Sequence, residues 1–496
     1  APLEAYYLAD FLLPAYPELG RGILRNYFAV QQENGFIDWK PGLGGQRSRA
    51  LATPILAKLT WKLYQVAREN TSWAKDFLME AYPALQRFLD AWFSGEHDVD
   101  QDGLPEWDHP MQFGIADHPL FSPWQAWSQG ADIRSAESPA LGALLYQECL
   151  CMAKMAPICG DIASVARYNA LAEKLRQRLN EMWDEEAQHY VYQDRDSHTN
   201  SPGRVLRQHK GSGKIILQER FAEPARLLVR IQSSGETRPH PQVFIHGESN
   251  SGQHRVERIS EGQIRWSSNV GLITGERVYH AIEMVELQGL LPEDAVTLAT
   301  VGFDCEDISL LLPLWAGIPS EEQAEGLFQN HLTSPQRYWR TYGIPVCPQP
   351  DPESEAICGQ VNLPLNRMVG EGLLAYGYRR AAAELVSRLM AGVVVNLKRQ
   401  GRFFHSFHAQ GGEGAGERNS LNGLAPLGLF LETLGVHPVS PHCVYLEGFN
   451  PFSSPVTVKY RGLTVLRQME KTVVIFPDGQ TVEVSDPAPV RVCLEA

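Results

Sequence analysis

The chain has 496 residues and a formal net charge of −14, from 44 Lys+Arg against 58 Asp+Glu. That length suits two to four domains of roughly 100–200 residues each. The acidic balance argues against nucleic acid as a partner, because a phosphate-binding surface needs clustered Lys and Arg, and no apolar run approaches the roughly 18 residues that would span a bilayer.

The first third reads as helices. Helices are expected at Leu19–Gln32 and Ala52–Arg68. Trp73, Phe77, Ala81, Leu85, Leu89 and Phe93 recur at i+4, an apolar stripe at helical period. Leu141, Leu144, Leu145 and Met152 repeat the pattern, and so do Val165, Tyr168, Leu171, Leu175, Leu179 and Met182. After Asn200 the period changes to two. Arg226–Ile231, Gln242–His246, Arg255–Ile259 and Gln263–Ser267 alternate and are separated by Gly, Ser and Pro, as strands of a small sandwich would be. Helices return at Ile308–Trp315, Ser320–Asn330, Val361–Tyr376, Tyr378–Leu397 and Asn419–Leu434, the last stopped by Gly435. From Val439 strands resume, with a hairpin around Pro477-Asp478-Gly479. The two helical parts hold about eleven or twelve expected helices, and paired helices in that number predict a closed toroid of six hairpins. The expected units are 1–203 and 293–437 for the toroid, 204–292 for an inserted β domain and 438–496 for a C-terminal β domain.

Eight cysteines, at 149, 151, 159, 305, 347, 358, 443 and 493, show no CxxC pair or disulfide-module spacing. Free thiols in a reducing, cytoplasmic setting are expected. The segment Tyr6–Leu13 lacks the basic start of a signal peptide.

Four long connections, Gly35–Arg49, Glu96–Pro139, Tyr338–Gly359 and Arg399–Arg418, hold Trp39, Trp107, Trp124, Trp127 and Trp339 among many Gly, His, Asp and Glu. Loops on a rigid scaffold are where sites usually lie. Aromatic faces there suit the apolar faces of sugar rings, although each Trp alone could simply plug an end of the toroid. Trp39, Trp107, Trp339 and Arg340 are expected to line one concavity.

Asp98, Asp100 and Asp102 begin like a calcium loop, but the twelfth position is His109, not the bidentate Glu of an EF-hand. An Asp/Gly-rich turn without metal is the favoured reading. Glu106, Asp108 and Asp117 lie with His109 and His118 in one loop beside Trp107 and Phe113. A glycosidase needs one carboxyl to protonate the leaving oxygen, and burial beside an aromatic raises a carboxyl pKa toward that task. Each Asp could equally cap a turn before Pro. A second cluster runs from His405 through His408 to Glu413 and Glu417 in a Gly-rich stretch. Glu413 could serve as a base or be a solvated loop residue.

Several segments carry a resemblance: Asp102-Gly103-Leu104-Pro105-Glu106-Trp107, Leu311-Leu312-Pro313-Leu314-Trp315-Ala316-Gly317, Tyr338-Trp339-Arg340, Glu371-Gly372-Leu373 and Gly423-Leu424-Ala425-Pro426-Leu427. In their order the chain resembles the (α/α)6-toroid glycoside hydrolases of the family 63 clan. That clan includes processing α-glucosidases and mannosylglycerate and glucosylglycerate hydrolases, with debranching glucosidases and trehalases more distant. The resemblance covers the helical parts, about two thirds of the chain, and implies an (α/α)6 toroid, with the short C-terminal β domain also fitting the clan; together with the inserted β-sandwich-like domain read above, the expected fold is mainly α. The resemblance implies an inverting enzyme acting on an α-glucoside or α-mannoside through two carboxyls roughly 6.5–9.5 Å apart, with a carbohydrate partner; the residues read above add the expectation of no metal and no membrane.

The clan's acid is the first Asp of a motif like D-[ND]-x-P. Aligned on Pro119, that position is Ala116, and Asp117 takes the second place. The clan's base, aligned on Gly412-Glu413, falls near His405. The acid candidates are therefore Asp117, then Asp108 and Glu106, and the base candidates Glu413, then Glu417. Trp39, Glu106, Trp107, Trp339, Arg340, His405 and His408 are the expected substrate contacts. Two alternatives stay open: a sugar-binding protein that has lost hydrolysis, and a phosphorolytic enzyme holding phosphate on Arg340, Arg418 and His405.

Overall fold

A computed structural model describes residues 1–42, 45, 48–69, 71–115, 117–235 and 237–494. Ala116 lies outside the described residues. The helices are α1 (Pro2–Leu12), α2 (Pro17–Ala29), α3 (Leu56–Ala67), α4 (Ala74–Trp92), α5 (Pro139–Ile158), α6 (Ser164–Glu181), α7 (Leu312–Ala316), α8 (Glu321–Gly326), α9 (Glu355–Cys358), α10 (Leu363–Ala375), α11 (Arg379–Gln400) and α12 (Leu427–Leu434). Among the described residues, α1, α3, α5, α7, α10 and α12 each touch the next, and α12 returns to α1, which closes a ring. Outside it, α2 packs on α1 and α3, α4 on α3 and α5, α6 on α5, and α11 on α10 and α12. The stripe read in α4 is the reason for this layering. Phe77, Leu78, Ala81, Leu85, Phe88, Leu89 and Trp92 are buried at helical spacing, and the polar face is left to solvent.

Small residues set the closest helix approaches. A Cβ on Gly372 of α10 would lie 2.8 Å from the Trp315 backbone nitrogen of α7. Gly372→Ala is therefore expected to destabilise the protein by about 1–3 kcal/mol, the usual cost of overpacking, in urea unfolding; an unchanged midpoint would mean that α7 and α10 can separate freely.

The change of period after Asn200 marks an inserted β unit. Its strands lie in the order Val205–Lys210, Ala295–Thr300, Gly213–Gln232, Val270–Gln288, Gln242–Glu248 and His254–Ile259, with Arg265–Ser267 paired to Val270–Gln288. The expected small sandwich is instead one continuous antiparallel sheet. Its two longest strands, of 20 and 19 residues, bend at register shifts near Thr274, Tyr279 and Ile282. Bending brings Leu227, Val229, Ile231, Ile245, Ile273 and Val285 into a core of their own. The sheet also extends past the expected boundary at 292, because Ala295–Thr300 pairs with two of its strands.

The insert is fastened to the ring by arginines. Arg226, 2% exposed, donates to both Asp194 oxygens at 2.7 and 2.9 Å and also pairs with Asp196. Arg265 donates to the Gly130 carbonyl at 2.7 Å, and Arg230 to that of Ser128. Leu228 of the sheet belongs to the ring's own core.

The expected helix Asn419–Leu434 is shortened to α12. Gly414–Arg418 is a strand paired with Phe404–His408, Asn419 has a positive φ of 54°, and Pro426 immediately precedes the helix. The tail starts at Val436 rather than 438. It packs Val436–Ser440, Cys443–Leu446 and Val490–Cys493 against a four-stranded sheet that contains the expected Pro-Asp-Gly hairpin. Cys443 and Cys493 stand directly opposite in neighbouring strands and form a disulfide, with Cα atoms 4.1 Å apart. The expectation of eight free thiols is corrected to six, and pairing across 50 residues of sequence left no spacing motif to read. The bond also removes the sequence argument for a reducing compartment. Among the described residues no helix is long and apolar enough to cross a membrane.

Candidate active site

The segments that lead into the inner helices converge at one end of the ring. An axial pocket of about 160 Å³ is lined by Glu4 of α1, Trp39 and Lys40 ahead of α3, Gln112 and Gly114 ahead of α5, Asn362 at the start of α10, and His405 and Asn422 ahead of α12. It adjoins a cavity of about 290 Å³, with Trp39, Met111 and Gln112 common to both. Asp108 and Arg134 are in turn shared with a third cavity of about 570 Å³, which lies between the ring loops and the inserted sheet. Together they form a groove from the ring axis to the insert.

Local hydrogen bonding fixes its walls. Buried Asp38 accepts from the Lys40 N–H at 2.8 Å, the Ser48 N–H at 2.6 Å and the Ser48 hydroxyl at 3.0 Å, which pins the loop that presents Trp39. Gln112 donates to the Leu51 carbonyl at 2.7 Å and to Asp108 at 3.2 Å. Trp107 is fully buried, edge-on to Trp92 and tilted against Phe113, so it supports the groove and offers a sugar little surface.

Two carboxyls on the outer cavity are held in opposite protonation states. Glu106 is 2% exposed; among the described residues its Oε2 accepts a long 3.3 Å bond from the Val99 N–H, and its Oε1 has no hydrogen-bond partner. Burial pushes its pKa up to about 9, against the opposing pull of the Val99 N–H and Arg195. Asp108 is also buried, and burial works against its charge. It nonetheless accepts from the Leu51 N–H at 2.9 Å and from Arg134 at 3.0 Å, with His97 at 3.3 Å, and these partners hold its pKa below the ordinary value.

The sequence candidates divide. Trp39, Glu106, Trp107, Asp108 and His405 line the groove. Asp117 does not line these cavities; its carboxylate accepts from Gln125 at 2.8 Å and from the Trp124 indole. Trp339 and Arg340 are not in the shared concavity expected of them. Trp339 donates to Glu384 at 3.0 Å and packs against Arg388 on α11, while Arg340 is spent on the carbonyls of Pro335, Gln336 and Pro348. His408 faces Glu355 at 2.9 Å. Glu413 and Glu417 are exposed on the hairpin and are not among the groove-lining residues, although the strand carrying Glu417 pairs with the one carrying His405, and a Cβ on Gly416 would lie 3.1 Å from that of His405. With Arg340 turned into its own loop, the phosphate site of Arg340, Arg418 and His405 is not assembled. Sequence reasoning missed Gln112, Asn362 and Asn422, and also Arg255 and Arg277, which the insert brings to the groove from more than a hundred residues away. No local motif announced them.

Asp100 and Asp102 gather with Glu137 and His198, their ligand atoms within 4.8 Å of one another. Arg178 already stands among them, donating to Asp102 at 2.6 Å and to Glu137 at 2.9 Å and lying 2.8 Å from His198. Asp98 accepts from the Gly103 N–H of its own turn at 3.4 Å. The guanidinium supplies the positive charge here, so these residues fit an arginine-centred cluster better than a calcium site.

Residues 17–209 match the family model described as a mannosylglycerate hydrolase MGH1-like glycoside hydrolase domain. The chain resembles the family 63 glycoside hydrolases. Among solved structures, the family 63 mannosylglycerate hydrolase of Thermus thermophilus in complex with Tris and D-glycerate aligns with a TM-score of 0.55 at 15% identity, over 86% of this chain and 92% of that one. The same enzyme in complex with glucose aligns at 0.53 and 16% identity, with the same coverage. Neutral trehalase Nth1 from Saccharomyces cerevisiae aligns at 0.51 and 14% identity, over 87% of this chain and 71% of that one. At these identities the likeness is one of fold. No curated protein sequence matches the chain.

Proposed function

We propose that this chain is a glycoside hydrolase on an (α/α)6 toroid, cleaving an α-glycosidic bond in the groove between the ring and its inserted sheet. One observation carries the assignment. Glu106 and Asp108 face the same cavity, one kept protonated by burial and the other kept ionised by its donors. A pair of carboxyls pushed apart in this way is what proton donation to a leaving oxygen requires. Glu106 is the proton donor in this reading and Asp108 its ionised partner, with Trp39 as the stacking face. The family match over residues 17–209 supports the reaction class.

The test is release of reducing sugar from a panel of α-glucosides and α-mannosides, with the first-formed anomer followed by proton NMR. Inversion is expected. Because neither the donor nor its partner is metal-bound in this reading, millimolar calcium or EDTA is expected to leave turnover unchanged; a loss with EDTA that calcium restores would give the Asp100 cluster a metal after all.

A specific observation favours the second reading, sugar binding without hydrolysis. Among the described residues Glu4 is the one carboxylate lining the axial pocket, and it accepts from Asn422 at 3.0 Å, so that pocket by itself offers no pair of carboxyls. Calorimetric binding of the same glycosides without turnover would favour it.

A further inference from the structure

Asp117 and Trp124, two residues that the proposed reaction leaves unused, are joined to each other beside the groove. A singly exposed apolar side chain needs no explanation. Trp124 is 42% exposed, but it is fixed from two directions. Its indole N–H donates to Asp117, and the same carboxylate oxygen accepts from Gln125 at 2.8 Å. Its ring stacks on the His109 imidazole, with centroids 5.7 Å and planes 18° apart. His109 is held in turn, because its Nδ1 accepts from the Met111 N–H at 3.2 Å. The loop that presents Trp124 is closed at its base by the Gln129 N–H on the Pro119 carbonyl and the Ala131 N–H on that of Leu120, each at 2.8 Å. Arg230 of the inserted sheet ties down the Ser128 carbonyl. His109 connects this ring pair to the groove: with Trp39, Asp108 and Met111 it lines the middle cavity of about 290 Å³. Trp39 and His109 thus stand along one cavity, and Trp124 continues the aromatic surface outward from His109.

We propose that Trp124 is an outlying sugar platform of the groove and that Asp117 is its positioning residue. The preferred ligand is then an α-linked oligosaccharide whose outer units pass Trp39 and His109 and stack on Trp124. Which end of that ligand reacts rests on the glycosidase reading above; the platform rests on the aromatic geometry. An indole already locked in orientation loses little freedom when a sugar covers it, so its stacking contributes nearly in full to affinity. The contact is made with sugars that do not react and binds ground and transition state alike, so it lowers KM for long substrates and leaves kcat unchanged.

Binding of the maltose-to-maltohexaose series, and of a matching series of α-linked mannose oligomers, would be measured by calorimetry on the full chain carrying Glu106→Gln, with chromatography afterwards to report any cleavage. In one series affinity is expected to rise with length. Trp124→Ala, added to that chain, should weaken the hexasaccharide about 3–10-fold, the range of one aromatic contact, and leave the disaccharide unchanged. Trp124→Phe should keep most of the gain, since a flat ring remains. Asp117→Ala should lose part of it, and Asp117→Asn, which retains an acceptor for the indole, should restore it. Affinity that does not rise with length in either series, or equal losses for disaccharide and hexasaccharide in Trp124→Ala, would overturn the proposal. The two readings fail separately. Cleavage of short glycosides by the native chain with no gain from length removes the platform alone. A length gain that Trp124→Ala loses, with no turnover by the native chain, keeps the platform and removes the hydrolase.

Discussion

Glu106→Gln is expected to lower turnover on a cleavable α-glycoside by about 10²–10⁴-fold, the usual contribution of general acid catalysis. Gln keeps the volume and can still accept from the Val99 N–H, but it has no proton to give. The pH dependence follows from the raised pKa. With Glu106 near 9, the donor stays loaded through neutral pH and the rate falls as pH rises toward that value. The stability sign is opposite to that of an ordinary ion-paired carboxylate. Between the free value of 4.5 and about 9, the unfolded state has lost a proton that the folded state keeps, so stability decreases as pH rises through this window. Glu106→Gln should therefore match the native melting temperature below the free pKa and exceed it at the alkaline end. A less active, more stable variant is the signature of a strained catalytic acid. Asp117→Asn, by contrast, should leave turnover close to native, since Asp117 is occupied by Trp124 and Gln125. If Asp117→Asn abolishes activity and Glu106→Gln does not, the donor assignment is wrong.

Arg226→Ala should cost about 3–5 kcal/mol, the penalty for leaving a buried charge unpaired. Arg226 is 2% exposed and Asp194 3%, so the carboxylate left behind has little access to solvent. Arg226 also donates at 2.9 Å to the carbonyl of Gly275, which lines the outer cavity. Its loss is thus expected to loosen the insert and to raise KM before it lowers kcat, because Arg255 and Arg277 reach the groove only through the sheet. Arg204→Ala is the comparison. Its pair with Glu219 is on the surface, where removal costs about 0–1 kcal/mol. Guanidinium unfolding followed by tryptophan fluorescence would separate the two. A shift below about 1 kcal/mol for Arg226→Ala would mean that the insert is held by its apolar contacts alone.

The layers of the fold were legible in residue order. The i+4 stripe from Phe77 to Trp92 had to be a helix with one buried face, and the alternation in Gln242–His246 and Arg255–Ile259 had to be strands, because side-chain direction follows backbone period. Gly435, at φ 69°, stops α12 where the residue pattern said a helix would stop. The loop from Glu106 to Asp117 was legible as chemistry from its residue types. Which of its carboxyls serves was not, because a pKa depends on what surrounds a group in space. Glu106 and Asp108 are two residues apart, and folding alone gives one a dry, unpaired oxygen and the other Leu51, Arg134 and His97. Trp339 and Arg340 looked as good as Trp39 on paper, yet contacts with α11 and with their own loop's carbonyls take them out of the groove. The Cys443–Cys493 bond, the return of Ala295–Thr300 to the sheet and the arginines that fasten the insert all depend on strands pairing across long stretches of chain. Pairing of that kind is set by tertiary packing, and local sequence carries no periodic trace of it.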